Sequence, residues 1–231
     1  MLGMIRIAEI FRSIQGEGLL TGTPSAFVRT SGCNLRCGFC DTPYASWRPE
    51  GSHLPVHQIV RRVEAMEEQH VVLTGGEPML FADLVPLTRE LHRLGRHVTI
   101  ETAGTRYLPV ACDLMSVSPK LSNSTPGIGG PGWIEEHERR RHVPGVIRRL
   151  AAEYSCQFKF VVDSIESCGE VEKYLAEFPE IDRGRVMLMP EGTDAATLAD
   201  RARWVEPYCA EHGLGYCPRR QIEWFGLRRA T

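Results

Sequence analysis

Residues 31 to 42 read SGCNLRCGFCDT, which places Cys33, Cys37 and Cys40 in the spacing C-x3-C-x2-C. Thiolates bind soft and borderline metals, and a closed tetrahedral zinc site takes four protein ligands. Four-cysteine zinc ribbons use paired C-x2-C units, and Cys40 has no such partner pair downstream. Three thiolates can instead hold three irons of a 4Fe-4S cluster and leave the fourth iron open to an outside ligand. A zinc interaction module completed by His53 or His57 uses the same cysteines, and spacing alone leaves both readings standing.

Other stretches carry chemistry of their own. TGGEP, residues 74 to 78, has two glycines where backbone can approach a ligand closely, with Glu77 beside them; it also reads as a strand-to-helix turn with Pro78 at a helix start. IQGEG, residues 14 to 18, reads on its own as a glycine-rich turn between two strands. Arg29 ends an apolar run, where a guanidinium can clamp a carboxylate through two parallel hydrogen bonds. Lys159 inside FKFVV is either a snorkelling core lysine or a site cation.

Positioning these groups falls to recurring short elements. Apolar, often β-branched runs occur at 25 to 30, 70 to 76, 96 to 102, 112 to 118, 157 to 163 and 185 to 190, and several lack alternation, as strands covered on both faces do. Helical stripes lie between them. Leu54, Ile59, Val60, Val63 and Met66 form one, and Phe81, Leu84, Leu87, Leu91 and Leu94 another. Further helices are predicted at about 135 to 153, 167 to 178 and 194 to 212, the last ended by Gly213 as a C-cap. Strands alternating with helices imply right-handed crossovers and a parallel sheet, and some six repeats are too few for a full eightfold barrel. The expected fold is α/β: a single domain over 1 to 231, built as a partial (β/α)6 TIM-like barrel with parallel strands. TGGEP, ETAGT (101 to 105) and SPK (118 to 120) then fall at carboxyl ends of strands, where function gathers. LSNSTPGIGGPGW, residues 121 to 133, reads as a loop over that same face, and ERRRH, 138 to 142, as a solvated helix face.

Bulk properties narrow the classes. A chain of 231 residues at 42% hydrophobic buries a substantial core, and a formal net charge of -2 gives no reason to expect nucleic acid as a partner. No window approaches the ~18 apolar residues of a membrane span. The start MLGMIRIAEIF lacks a basic leader and a cleavage site, so a cytoplasmic location is expected. In a reducing compartment the eight cysteines are not read as disulfides; Cys112 and Cys156 read as small core residues.

With Phe39 just before its last cysteine, the C-x3-C-x2-C stretch resembles the signature of the radical S-adenosylmethionine (SAM) superfamily. FRSIQGEGLLTGTPSAFVRTSGCNLRCGFCDTPYA (11 to 45), VVLTGGEPML, IETAGT and SVSPKLS are similar, more narrowly, to the 7-carboxy-7-deazaguanine synthase family. That resemblance implies a partial barrel and the cofactors 4Fe-4S cluster, SAM and Mg2+. It implies conversion of 6-carboxy-5,6,7,8-tetrahydropterin to 7-carboxy-7-deazaguanine with loss of ammonia, begun by a 5'-deoxyadenosyl radical that takes hydrogen from C6 and later regenerates SAM. Carried over by position, Cys33, Cys37 and Cys40 hold the cluster and Thr42 the Mg2+. SAM falls to Phe39, Cys40, Asp41, Gly76, Glu77, Ser118, Pro119 and Lys120, with Glu101 and Thr102 near its ribose. Ile14, Gln15, Gly16, Arg29 and Thr74 fall to the pterin. No side chain is assigned as acid, base or nucleophile. The resemblance further implies a homodimer and a one-electron reductant of flavodoxin or ferredoxin type. A glycyl-radical-activating enzyme shares the cluster motif and TGGEP, but nothing in such enzymes calls for SIQGEG ahead of the cysteines. The tail from 216, with Gln221 and several arginines, reads equally as a pocket-closing segment or a last strand with a solvated end.

Overall fold

The computed structural model describes residues 3 to 127 and 131 to 230. The strands are β1 (Met4–Ile14), β2 (Pro24–Thr30), β3 (Ser52–Pro55), β4 (His70–Gly75), β5 (His97–Thr102), β6 (Leu114–Val117), β7 (Cys156–Val162), β8 (Val186–Pro190) and β9 (Gly215–Tyr216). The helices are α1 (Val56–Glu64), α2 (Leu84–Arg93), α3 (Pro131–Arg141), α4 (Pro144–Glu153), α5 (Ile165–Glu177), α6 (Ala195–His212) and α7 (Arg220–Phe225). They build one mixed α/β sheet in the order β3-β1-β2-β4-β5-β6-β7-β8-β9. From β2 to β9 all neighbours are parallel, while β1 is antiparallel to both β2 and β3. Among the described residues β3 and β9 remain the two ends of the sheet, so the barrel is partial, as expected from the strand count.

The six expected parallel strands are β2, β4, β5, β6, β7 and β8. Every residue of β6, β7 and β8 is buried, which is why these stretches read as continuous apolar runs. One side chain set packs outward: Val28, Leu73, Ile100, Val117, Phe160 and Leu188 meet Ile59, Leu87, Leu91, Leu150, Val171 and Val205 of the helices. The alternate set points inward, and towards the carboxyl ends it turns polar: Thr74, Glu101, Ser116 and Lys159. A strand period of two thus delivers the core on one face and the site on the other.

Several expectations need correction. β1 is an eleven-residue strand that the apolar runs do not reveal and only the turn reading of IQGEG implies, because Arg6, Glu9 and Arg12 interrupt its apolar pattern. Leu54 belongs to β3 and Phe81 to a turn, since Pro55 and Asp83 set the starts of α1 and α2 after them. The single helix expected over 135 to 153 is two. Pro144 opens α4 and holds Val143 out of the helical region, with φ −129° and ψ 82°. The β5-to-β6 connection carries no helix. The loop expected at 121 to 133 holds a 3-10 turn at Ser122–Ser124 and then the start of α3; residues 128 to 130 lie outside the described residues. Gly213 caps α6 as expected, at φ 66°. Among the described residues no helix is long and apolar enough to cross a membrane.

Candidate active site

Two cavities open at the carboxyl ends of the strands. One is lined by Cys33, Cys37 and Cys40 on the loop after β2, by Gly75 and Gly76 after β4, and by Ser118 and Lys120 after β6. The other takes Gln15 and Gly16 from the turn after β1, Glu9 and Arg29 from β1 and β2, Thr42 beyond the cysteines, and Gln221 from α7. Glu17, Thr74 and Glu101 line both, and so form the wall between them.

Backbone packing sets the first cavity. Gly76 donates its N–H to Thr30 O at 3.2 Å, and Glu77 donates its N–H to Gly32 O at 2.9 Å. These bonds press the TGG turn so tightly against the cysteine loop that a Cβ on Gly76 would stand 2.1 Å from Gly32 O. The Glu77 carboxylate lines neither cavity. It is fully buried and accepts from Thr102 Oγ1 at 2.8 Å, Ala103 N–H at 2.8 Å and Met79 N–H at 3.0 Å, so it ties its own turn to the end of β5 from beneath. Phe39, Gly76, Thr102, Ser118 and Lys120 do line the cysteine cavity, whereas Pro119 lines neither and Asp41 faces the other one. Lys120 Nζ turns back onto Ser118 O and Oγ, each at 2.7 Å.

Burial pushes the Cys33 thiol up to about 12 and the Cys37 thiol to about 11. Such thiols are poor nucleophiles, and a metal that displaces their protons suits them better. No group of three or more His, Cys, Asp or Glu among the described residues converges as ligands of a single ion would. His57 lines a separate hollow with Val60 and Pro86, and His53 is exposed on β3. The donors present, three thiols around one cavity beside two close-packed glycines, fit a multi-iron cluster and a ligand on its open iron.

A chain of charges runs beneath the shared wall. Lys159, with 4% of its side chain exposed, reaches Glu17 at 2.8 Å and Glu101 at 3.3 Å. Arg219 lies 3.4 Å from Glu17, also pairs with Asp41, and donates to Gly192 O at 2.7 Å. Burial alone would lower the lysine's pKa, but the two carboxylates override it and raise it. Burial likewise disfavours the Glu17 carboxylate, yet Lys159 and Arg219 bring it down to about 2. Thr74 Oγ1 donates to Glu101 Oε2 at 2.7 Å, and Gln15 Nε2 reaches Glu101 Oε1 at 3.3 Å. Since Gln15 Oε1 also accepts the Glu17 N–H at 3.1 Å, the amide retains one donor and one acceptor site for a ligand.

Arg29 is not without a protein partner. Glu9 takes its Nε edge at 2.6 Å and accepts from Tyr44 OH at 2.7 Å, while Phe11 lies beneath the guanidinium at 5.7 Å. The Nη edge has no hydrogen-bond partner among the described residues. Thr42 Oγ1 stands 3.9 Å from Cys40 Sγ, and Ile14 and Gly16 line the same cavity as Thr42. The sequence reading missed Glu9, Glu17 and Arg219. Glu17 sits between residues of a recognised motif, which was signal enough; Arg219 meets it across 202 positions, for which no local pattern exists.

The chain is similar to known proteins over most of its length. A family model described as the radical SAM superfamily matches residues 27–123. The 7-carboxy-7-deazaguanine synthase of Rhodopirellula baltica is 47% identical over 228 residues, covering 97% of this chain and 88% of the relative. That of Halobacterium salinarum is 45% identical over 227 residues, covering 94% and 88%. Among solved structures, QueE from Escherichia coli superposes with a TM-score of 0.70 over 93% of each chain at 24% identity. SuiB of Streptococcus suis bound to S-adenosylmethionine reaches 0.55 at 17% identity, over 84% of this chain and 53% of SuiB.

Proposed function

The chain belongs to the 7-carboxy-7-deazaguanine synthase family of radical SAM enzymes, and on that premise we propose how its two cavities divide the reaction. The cysteine cavity holds the 4Fe-4S cluster and SAM of the family. The cavity of Gln15, Gly16 and Arg29 holds 6-carboxy-5,6,7,8-tetrahydropterin, which leaves as 7-carboxy-7-deazaguanine with loss of ammonia. The observation that carries this reading is the shared wall: Glu17, Thr74 and Glu101 border both spaces, so a molecule in one lies against a molecule in the other.

Cys33, Cys37 and Cys40 would hold the cluster, and Phe39, Gly76, Ser118 and Lys120 would surround SAM beside it; Glu77 and Pro119 support that cavity from outside its lining, and Asp41, which follows Cys40, borders SAM's space from the neighbouring cavity. When bound, cluster and SAM supply a primary carbon radical by one-electron cleavage. The chain's own residues orient and enclose. Gln15 offers its remaining donor and acceptor to the planar amide edge of the pterin with Ile14 and Gly16 alongside. The free Nη edge of Arg29 takes the substrate carboxylate, and Thr74 sits between substrate and Glu101. The Thr42 hydroxyl would offer one hard oxygen to Mg2+, with water and substrate oxygens supplying the others. The β1–β2 turn is the substrate segment and the C-terminal segment closes over it. Excluding water there protects the radical from quenching. The protein works as a cytoplasmic homodimer served by a flavodoxin- or ferredoxin-type reductant.

Anaerobic incubation with reductant, SAM and the pterin tests the reading. Deazaguanine product is expected, and its absence from protein carrying an intact cluster defeats the substrate assignment. Iron and sulfide near four each per chain are expected from the cluster's composition, where a single zinc would end the radical reading.

A further inference from the structure

Helix α3 lies against the cysteine loop, and His137 joins the two. Its ring is 1% exposed. Nδ1 accepts the backbone N–H of Arg36 at 3.1 Å, and Nε2 stands 2.9 Å from Ser124 Oγ, which in turn donates to Leu121 O at 2.6 Å. An amide nitrogen only donates, so Nδ1 carries a lone pair. The Ser124 hydroxyl hydrogen is committed to Leu121, so Nε2 carries the ring hydrogen. One neutral tautomer satisfies all three bonds, and burial, partly opposed by Glu138, holds the imidazole's pKa below its ordinary value.

The same short stretch holds the loop a second time. Ser124 O accepts the Gly38 N–H at 2.9 Å, so the residues on either side of Cys37 are each held through their N–H, Arg36 by His137 and Gly38 by Ser124. On the opposite side Trp47 Nε1 donates to Cys37 O at 3.0 Å. We propose that His137 is a positioning residue for the iron-sulfur cluster: by accepting the Arg36 N–H it fixes the Leu35–Arg36 peptide, one residue ahead of Cys37, and with it the direction of that thiol and the access of water to its iron. The inference rests on Cys37 being a cluster ligand. Without the acceptor the half-buried Arg36 amide is left unpaired and the loop reorganises to find another, a cluster sulfur included; hydrogen bonds to cluster sulfurs raise reduction potentials.

Two substitutions separate the ring's functions. His137→Asn keeps an acceptor where Nδ1 stands but loses the reach to Ser124, whereas His137→Gln can keep that reach and lacks an acceptor near Arg36. Each is reconstituted anaerobically and followed by iron release to a chelator and by the cluster's midpoint potential, with circular dichroism of the metal-free forms as the folding control. Wild type and H137N are expected to match. H137Q is expected to release iron about tenfold faster, the low end for loss of an outer partner of a metal ligand, with its potential raised. Ser124→Ala, which leaves the ring but removes the oxygen that selects its tautomer, shifts release in the same direction by less and serves if H137Q fails to fold. Wild-type release in H137Q or in S124A overturns the proposal, as does an H137N as impaired as H137Q. A wild-type protein that takes up no cluster instead refutes the assignment of the cysteines.

Discussion

Lys159 sets residue type against place: a cation in the middle of a strand buried at every position. The conflict dissolves because β7 turns its alternate side chains inward, where Glu17 and Glu101 neutralise the ammonium. Neither reading of FKFVV could be preferred from sequence, since both carboxylates come from distant segments. Breaking a buried pair from one side leaves the other charge stranded, so Glu17→Gln is expected to cost ~3 kcal/mol at pH 7, measured by urea unfolding. The pH dependence follows from the depressed carboxyl of Glu17. Its contribution is complete above the ordinary glutamate value of about 4.3 and is lost as pH falls through about 2. The stability gap between wild type and E17Q should therefore narrow between pH 5 and pH 2; parallel curves would count against a charged Glu17 in the folded state.

At the level of elements, the parallel strands were legible because burial on both faces leaves an unbroken apolar run that no other element explains as well. β1 was not, because its charges serve separate ends and leave no clean alternation: Glu9 lines the site, Arg12 pairs with Glu68 at the surface, and Arg6 bonds Pro49 O. The helix break at Pro144 was readable in principle from the proline alone. Two glycines illustrate different constraints on element ends. Gly213 ends α6 at φ 66° with open space around it, so Gly213→Ala should cost only about 1 kcal/mol, the strain of a left-handed alanine. Gly76 is held by contact: its added Cβ would meet Gly32 O and Ala45 O, both backbone and unable to swing aside. Gly76→Ala should cost about 3 kcal/mol or more, as overpacking at an unyielding site does. Thermal unfolding of the two variants side by side checks the order, and an equal loss would mean that the TGG turn yields more readily than its packing implies.

Across the whole molecule, chain ends more than two hundred residues apart meet beside the cysteine loop, where Glu17 touches Arg219 and Gln221. Local motifs revealed the cysteines, TGGEP and SPK because each is contiguous; the contacts of the tail had no such trace, and its two readings proved compatible, a short β9 followed by α7 over the cavity. Deleting residues 220 to 231 removes Gln221 while retaining Arg219. Cluster content is expected to persist at four irons per chain, with KM for the pterin rising about tenfold, the equivalent of one lost hydrogen bond. Lost iron, or an unchanged KM, would contradict that division of labour. The segment matched by the superfamily model, 27–123, supplies the whole lining of the cysteine cavity except Glu17 and Lys159, whereas the neighbouring cavity draws on 9 to 17 and 221 to 230 as well. The first cavity is thus written almost wholly within one segment, whereas the second combines that segment's Arg29, Thr42 and Thr74 with both termini. On the proposed assignment of the two cavities, changes confined to the termini would reshape one side of the substrate pocket and leave the lining that generates the radical untouched, so selectivity is the more evolvable of the two properties.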